Sequence, residues 1–170
     1  KDERFAVIEM GANGKGEIAF SARAASPNIG LITKASAAHI EGFGSLQGIV
    51  EAKGEIIDHV QPNGVVILNA DDENVSQWQE RASGKRTLLF GLERASGADY
   101  FASDIALAAS GRVSFTLHSP KGETVIALNL FGKHNIMNAL AASAIALEAG
   151  ASLSDVTKGL ASLMPISGRL

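Results

Sequence analysis

The chain contains no cysteine, which excludes disulfides and thiolate chemistry and permits a reducing compartment. Nowhere do the ~18 apolar residues of a membrane span run together. The apolar stretch 139–147 is Ala-rich and broken by Ser143. There is no basic excess: the net charge is −3, so nothing points to nucleic acid or an anionic membrane as partner. No repeat, low-complexity tract or linker interrupts the chain, and no signal peptide is seen before Phe5. What remains is 170 residues, 46% hydrophobic and 19% charged, enough for one domain with a sizeable core. The sequence runs from Lys1-Asp2-Glu3-Arg4 straight into an apolar segment and stops at Gly168-Arg169-Leu170, so a piece of a longer protein is expected.

The hydrophobic pattern predicts alternating strands and helices. Phe5–Met10 reads as a buried strand, 17–25 as a helix stopped by Ser26-Pro27, and Ile29–Thr33 as a second buried strand. Residues 34–44 read as a loop. Ser45 can cap a helix reaching about Val60, and Pro62-Asn63-Gly64 turns into a third strand, Val65–Leu68. Asn69-Ala70-Asp71-Asp72 leads out to a helix around 73–82, followed by a strand at 86–90. Such alternation predicts an α/β fold with a mainly parallel sheet flanked by helices, whose ligands bind at the carboxyl ends of the strands. Glu9, the 34–44 loop and Asn69–Asp72 are expected there. Residues 99–108, 112–118 and 123–130 alternate apolar with polar positions between turn signals and predict an attached antiparallel meander. Two helices, 135–150 and 152–163, close the pattern, with Gly150 expected to stop the first and Pro165 after the second.

Residues 11–17, GANGKGE, resemble a phosphate loop. A Walker loop, however, needs G-x-x-x-x-G-K-[ST], with amides around the phosphates and a hydroxyl for Mg²⁺. Here Gly16 follows Lys15 and the glycine spacing is short, so a plain glycine turn is the better reading. Glu9 is a carboxylate in an apolar run, either a buried acid needing a partner or metal, or an ordinary surface acid. His39 is a loop imidazole that could ligate a metal or simply be solvated. Lys53 lies 14 residues later among Val50, Ile56 and Ile57, where it is either snorkelling or chemically special. His134, Asn135 and Asn138 gather at one helix start, and their amides suit the edge of a base such as adenine. One of the asparagines could instead be a helix cap. Arg169 is a candidate phosphate clamp or a surface arginine.

Six segments, in order, carry a resemblance. They are Glu-Met-Gly-Ala-Asn-x-x-Gly-Glu-Ile at 9–18, Ala-His-Ile-Glu-Gly-Phe-Gly-Ser at 38–45, Glu-Ala-Lys-Gly-Glu-Ile at 51–56, Asn-Ala-Asp-Asp at 69–72, Gly-Lys-His-Asn-x-x-Asn-Ala-Leu-Ala-Ala at 132–142 and Ser-Gly-Arg-Leu at 167–170. Together they resemble the central ATP-binding domain of the Mur ligases, over nearly the whole chain. Segments 12–18 and 39–45 favour the branch that adds D-Ala-D-Ala to UDP-MurNAc-tripeptide. The resemblance implies a P-loop NTPase-like fold in a cytoplasmic, monomeric, ATP- and Mg²⁺-dependent ligase acting through an acyl-phosphate. It implies Glu9, His39 and a carbamylated Lys53 as Mg²⁺ ligands, and Lys53 and His39 as catalytic. His134, Asn135, Asn138 and Arg169 are implied at ATP, and Asn13 at the UDP-linked substrate.

On this resemblance, residues 1–170 are one domain. The family's Walker loop, N-terminal UDP-binding domain and C-terminal domain are not in this sequence, so the chain alone is expected to be inactive. Lys34 stands where the family often carries Asn, and Ala38 where many members carry Asp. The alternatives are another Mur ligase, a folylpolyglutamate synthase-like ligase, or a non-catalytic binding domain.

Overall fold

The computed structural model describes residues 3–36, 40–94 and 97–164, without the side chains of Ile40 and Glu41. The architecture is α/β. A three-stranded parallel sheet, β1 (Ile29–Ile32), β2 (Val65–Asn69) and β3 (Arg86–Phe90), runs in the order β1-β2-β3. Its strands are separated by α2 (Ile40–Phe43), α3 (Leu46–His59) and α4 (Val75–Arg81), and α1 (Glu17–Ala25) precedes it. An antiparallel meander follows, made of β4 (Phe101–Leu107), β5 (Arg112–Ser119) and β6 (Gly122–Phe131), and then α5 (His134–Glu148) and α6 (Leu153–Ala161). No helix among the described residues is long and apolar enough to cross a membrane.

Alternation along the parallel strands builds two apolar layers. Val65, Ile67, Leu88 and Phe90 face a core shared with the meander and with Ile136, Leu140 and Leu147 of α5. Val66, Leu68 and Ile32 face the other way, onto Ile49, Val50 and Ile57 of α3 and Trp78 of α4. All five residues of β2 are buried, as a central parallel strand covered on both faces requires. Gly30 is the one position on β1 where a side chain does not fit: a Cβ there would lie 2.6 Å from Val60 Cγ2.

Local signals set the helix ends. The Ser45 hydroxyl accepts the Gly48 N–H at 3.0 Å, the N-cap its sequence position predicts. Ser152 and Asp155 form a reciprocal capping box at the start of α6. Gly150, with φ 101°, follows the end of α5. At the joint between the sheet and α5, Glu148 accepts the Tyr100 hydroxyl at 3.1 Å and pairs with Arg86. The Arg86 guanidinium holds the Glu148 carboxyl below its ordinary value, while burial pushes the Tyr100 phenol up. A carboxyl lowered by folding stabilises the fold above its unfolded value and loses that contribution as pH falls through the lowered one.

Two expectations fail. Phe5–Met10 forms no strand, and Phe5, Val7 and Ile8 are 63%, 90% and 57% exposed. Apolar character favours burial, but a strand also needs a neighbour for its N–H and C=O groups. Among the described residues β1 pairs only with β2, and 5–10 joins no ladder. Glu9 therefore does not sit at the end of a strand. The 34–44 segment, expected as a loop, holds the helical turn α2, closed by Gly44 at φ 74°.

Candidate functional site

The carboxyl ends of the three parallel strands are tied together by one turn, Asn69-Ala70-Asp71-Asp72. Asn69, 8% exposed, donates its amide to the Thr33 carbonyl beyond β1 at 2.8 Å and accepts the Asp71 N–H at 2.9 Å. Asp72, 7% exposed, accepts the Ala35 N–H at 2.8 Å, and the Asn74 N–H and side-chain amide at 2.9 and 3.0 Å. Asp71 accepts the Leu92 N–H beyond β3 at 2.7 Å. The sequence places these four residues at the ligand-binding edge and in a family motif, but assigns none of their side chains a role. The missed signal is three Asx side chains at the end of a fully apolar strand, where their oxygens can satisfy loop amides.

The GANGKGE turn lies beside this edge. A Cβ on Gly42 of α2 would come 1.9 Å from the Asn13 carbonyl oxygen, so only glycine permits this approach. The start of α1 has the free amides of a phosphate-binding helix, but a protein carboxylate already holds them. Glu55 of α3 accepts the Gly16 N–H at 2.7 Å and the Ala19 N–H at 2.9 Å. Lys15 pairs with Glu51 at 2.5 Å and lowers its carboxyl. A phosphate at these amides would have to displace Glu55 against like charge, so this turn is not a phosphate cradle. Glu55→Ala leaves the α1 amides uncapped and is expected to cost about 1–2 kcal/mol. Lys15→Ala, at a solvent-exposed pair, should change stability far less. Thermal unfolding of the intact protein checks the contrast, and equal melting temperatures for the two variants would refute it.

Lys53 lies on α3, half-buried, with the buried Ile49, Val50 and Ile57 three and four residues away along the helix. Its ammonium makes no hydrogen bond or ion pair among the described residues. Glu9 is exposed, and its carboxylate likewise accepts no hydrogen bond among them. Its oxygens therefore remain available to a hard cation, which prefers such ligands. Among the described residues no three His, Cys, Asp or Glu side chains converge as a metal cluster. Asn13 is exposed, and its N–H donates to Glu17 at 3.0 Å. His39 and Arg169 lie outside the described residues.

His134, Asn135 and Asn138 do come together. The Asn135 amide donates to the Phe131 carbonyl at 2.8 Å and lies 3.2 Å from His134 Nε2, while Asn138 donates to Asn135 Oδ1 at 3.3 Å. Neither asparagine caps the helix: Lys133 is at the N-cap position, and no side-chain cap hydrogen bond forms there among the described residues. The exposed Asn138 keeps its carbonyl oxygen free of protein donors among the described residues, so it can present both an acceptor and a donor outward.

A second polar cluster on the meander has a different character. Ser103 Oγ lies 2.8 Å from His118 Nε2, and His118 Nδ1 lies 3.2 Å from Glu123, the order of a hydrolytic triad. Ser103, however, donates its proton to the neighbouring Asp104 at 2.8 Å. A carboxylate beside the hydroxyl opposes the negative charge that acyl transfer would build there. With Phe101 stacked on His118 at 4.5 Å, the cluster is a cross-strand tie at the β4–β5 bulge.

A family profile for the Mur ligase middle domain matches residues 1–146. The UDP-N-acetylmuramoyl-tripeptide--D-alanyl-D-alanine ligase of Haemophilus influenzae is 45% identical over 167 residues, covering 98% of this chain and 35% of that protein. A crystal structure of MurF from Acinetobacter baumannii superposes with a TM-score of 0.92 at 37% identity, covering 99% of this chain and 36% of that one. The MurF ligase of Thermotoga maritima, solved in complex with ADP, superposes at 0.81 with 26% identity, covering 95% of this chain and 36% of that one. The chain thus spans about a third of the length of the relatives it matches.

Proposed function

Because the chain belongs to the Mur ligase middle-domain family, we propose that it is the ATP-binding domain of a longer ligase that joins D-Ala-D-Ala to UDP-MurNAc-tripeptide in the cytoplasm. Similarity to D-Ala-D-Ala-adding ligases across nearly the whole chain carries this reading. The α/β core, the hydrogen-bonded His134–Asn135–Asn138 group and the free carboxylate of Glu9 support it.

In this reading His134, Asn135 and Asn138 hold the adenine end of ATP, and Arg169 holds its phosphates. Asn13, set against Gly42, faces the UDP-linked substrate. Glu9, His39 and Lys53 hold Mg²⁺. Lys53 suits that role only after its neutral amine adds CO₂, forming an N–C bond and releasing a proton, so that a cation becomes an oxygen-ligand anion. Its half-buried place on α3, with no hydrogen bond or ion pair among the described residues, leaves its Nζ unoccupied for this addition. When bound, Mg²⁺ neutralises phosphoryl charge and so eases approach of the anionic peptide carboxylate.

The carboxylate oxygen attacks the γ-phosphorus, ADP leaves, and an acyl-phosphate forms. The D-Ala-D-Ala amine then adds to the acyl carbon, and the tetrahedral intermediate expels phosphate and a proton to leave the amide. The domain's contribution is positioning and charge stabilisation.

The test incubates the intact protein with ATP, Mg²⁺, UDP-MurNAc-tripeptide and D-Ala-D-Ala. UDP-MurNAc-pentapeptide, ADP and phosphate are expected. The 170-residue chain alone should show no turnover. Folded intact protein that couples only a single amino acid, or nothing, would refute the assignment.

A further inference from the structure

We infer that Asn135 is a positioning residue for the base site. It acts through its neighbours, fixing which ring nitrogen of His134 carries the proton and which way the Asn138 amide faces, and so selects a 6-amino purine over a 6-oxo one. This rests on the reading, given above, that the group holds adenine.

A carboxamide nitrogen has two hydrogens to donate, and its oxygen accepts. Asn135 Nδ2 meets two acceptors within the protein, the Phe131 carbonyl at 2.8 Å and His134 Nε2 at 3.2 Å. A carbonyl only accepts, so the Asn135 nitrogen must face Phe131 and its oxygen is left for Asn138. That oxygen accepts the Asn138 amide at 3.3 Å. Asn135 is half-buried, whereas His134 and Asn138 are exposed. With both hydrogens committed, Asn135 has no donor left for a base.

Its neighbours take their sense from it. Because an amide nitrogen only donates, His134 Nε2 is the acceptor, and the ring proton lies on Nδ1. The opposite edge of the ring is seated over Gly132, at φ 86°, where a Cβ would come 2.9 Å from His134 Cε1 and 3.0 Å from Nδ1. The ring is thus held between Gly132 and the Asn135 amide. Asn138 in turn commits one N–H to Asn135, which leaves its other N–H and its Oδ1 for a ligand. Adenine offers a 6-amino donor beside the N7 acceptor, a match for that pair, while guanine offers two acceptors, O6 and N7. An Asn138 oxygen held in this sense would face guanine O6 with no hydrogen between them.

The experiment compares Asn135→Ala, Asn138→Ala and the double variant in the intact protein, reading affinity for ADP and for GDP with Mg²⁺. Either single variant should lower the preference for ADP over GDP by roughly 10–100-fold. The double variant should lower it no further, because Asn135 acts through Asn138. An Asn135→Ala variant that keeps the parent preference, or single losses that multiply in the double variant, would overturn the inference.

A second readout needs no nucleotide. In intact protein labelled with ¹⁵N-histidine, at a pH well above the ordinary imidazole range, His134 should carry its proton on Nδ1. Asn135→Asp keeps the size of the side chain but leaves only acceptors, so the proton should move to Nε2. A residue that merely helped to start the helix would leave the tautomer as it is. Nuclear magnetic resonance that finds the parent His134 protonated on Nε2, or the tautomer unchanged in Asn135→Asp, would also overturn the inference. Parent protein that binds ADP and GDP alike, with the Nδ1 proton in place, would remove the adenine reading and the selection with it, and leave the Asn135 contacts standing.

Discussion

Lys53→Ala is expected to lower kcat/KM of the intact ligase by about 10²–10³-fold or more, the scale of losing one charge-stabilising group at a phosphoryl site. Folding should barely notice. The ammonium makes no hydrogen bond or ion pair among the described residues, and alanine is the best helix former at a position inside α3. A near-native melting temperature beside a collapsed rate would therefore place the loss in the chemistry. If the working group is a carbamate, a short carboxylic acid added to the alanine variant should occupy the vacated space and restore part of the rate. A fully active alanine variant would end both the metal-ligand role and the carbamate. A snorkelling lysine, the alternative its sequence position allowed, predicts that result.

Trp78→Ala is expected to be the most damaging single change to the fold, at about 3–5 kcal/mol. Trp78 is 1% exposed, and its indole N–H donates to the Val50 carbonyl at 2.9 Å, so one side chain both fills and ties the layer between α3 and α4. Gly54 is part of the same fit, since a Cβ there would lie 3.3 Å from the indole Cδ1. Against a total stability of roughly 5–15 kcal/mol, such a loss leaves a large unfolded fraction near physiological temperature. Trp78→Phe keeps most of the ring volume but loses the hydrogen bond, and should cost about 1–2 kcal/mol. Denaturant unfolding of the intact protein ranks the two. Equal midpoints for Trp78→Ala and the parent would show that this layer does not hold the domain together. The helix at stake carries Lys53 and Glu55, so the packing of Trp78 also supports the site.

Elements whose stability is local were legible in the sequence. Ser45 before an apolar-periodic run placed the start of α3, and the short run at 65–68 placed β2, because cap chemistry and apolar periodicity act over a few residues. The meander followed from alternation between glycine turns. Phe5–Met10 misled for the opposite reason. Its composition suits a buried strand, but strand formation depends on a neighbouring strand that a local pattern does not reveal.

The site divides in the same way. His134, Asn135 and Asn138 are close in sequence on one helix, and their meeting could be read from helical spacing. Glu55 at the start of α1 and Asp72 at Ala35 act across 39, 36 and 37 residues, so only the fold brings those partners together. The phosphate-loop likeness of GANGKGE was doubtful from the missing hydroxyl after Lys15. The Glu55 carboxylate on its amides gives the physical reason it fails.

If this domain serves a ligase that works through an acyl-phosphate, an oxygen atom must pass from the peptide carboxylate to phosphate. UDP-MurNAc-tripeptide labelled with ¹⁸O in its terminal carboxylate is coupled to D-Ala-D-Ala by the intact protein, and the released phosphate is analysed by mass spectrometry. ADP is expected as the nucleotide product, with one carboxylate oxygen carried into phosphate per amide formed. Unlabelled phosphate, or AMP and pyrophosphate as products, would contradict it.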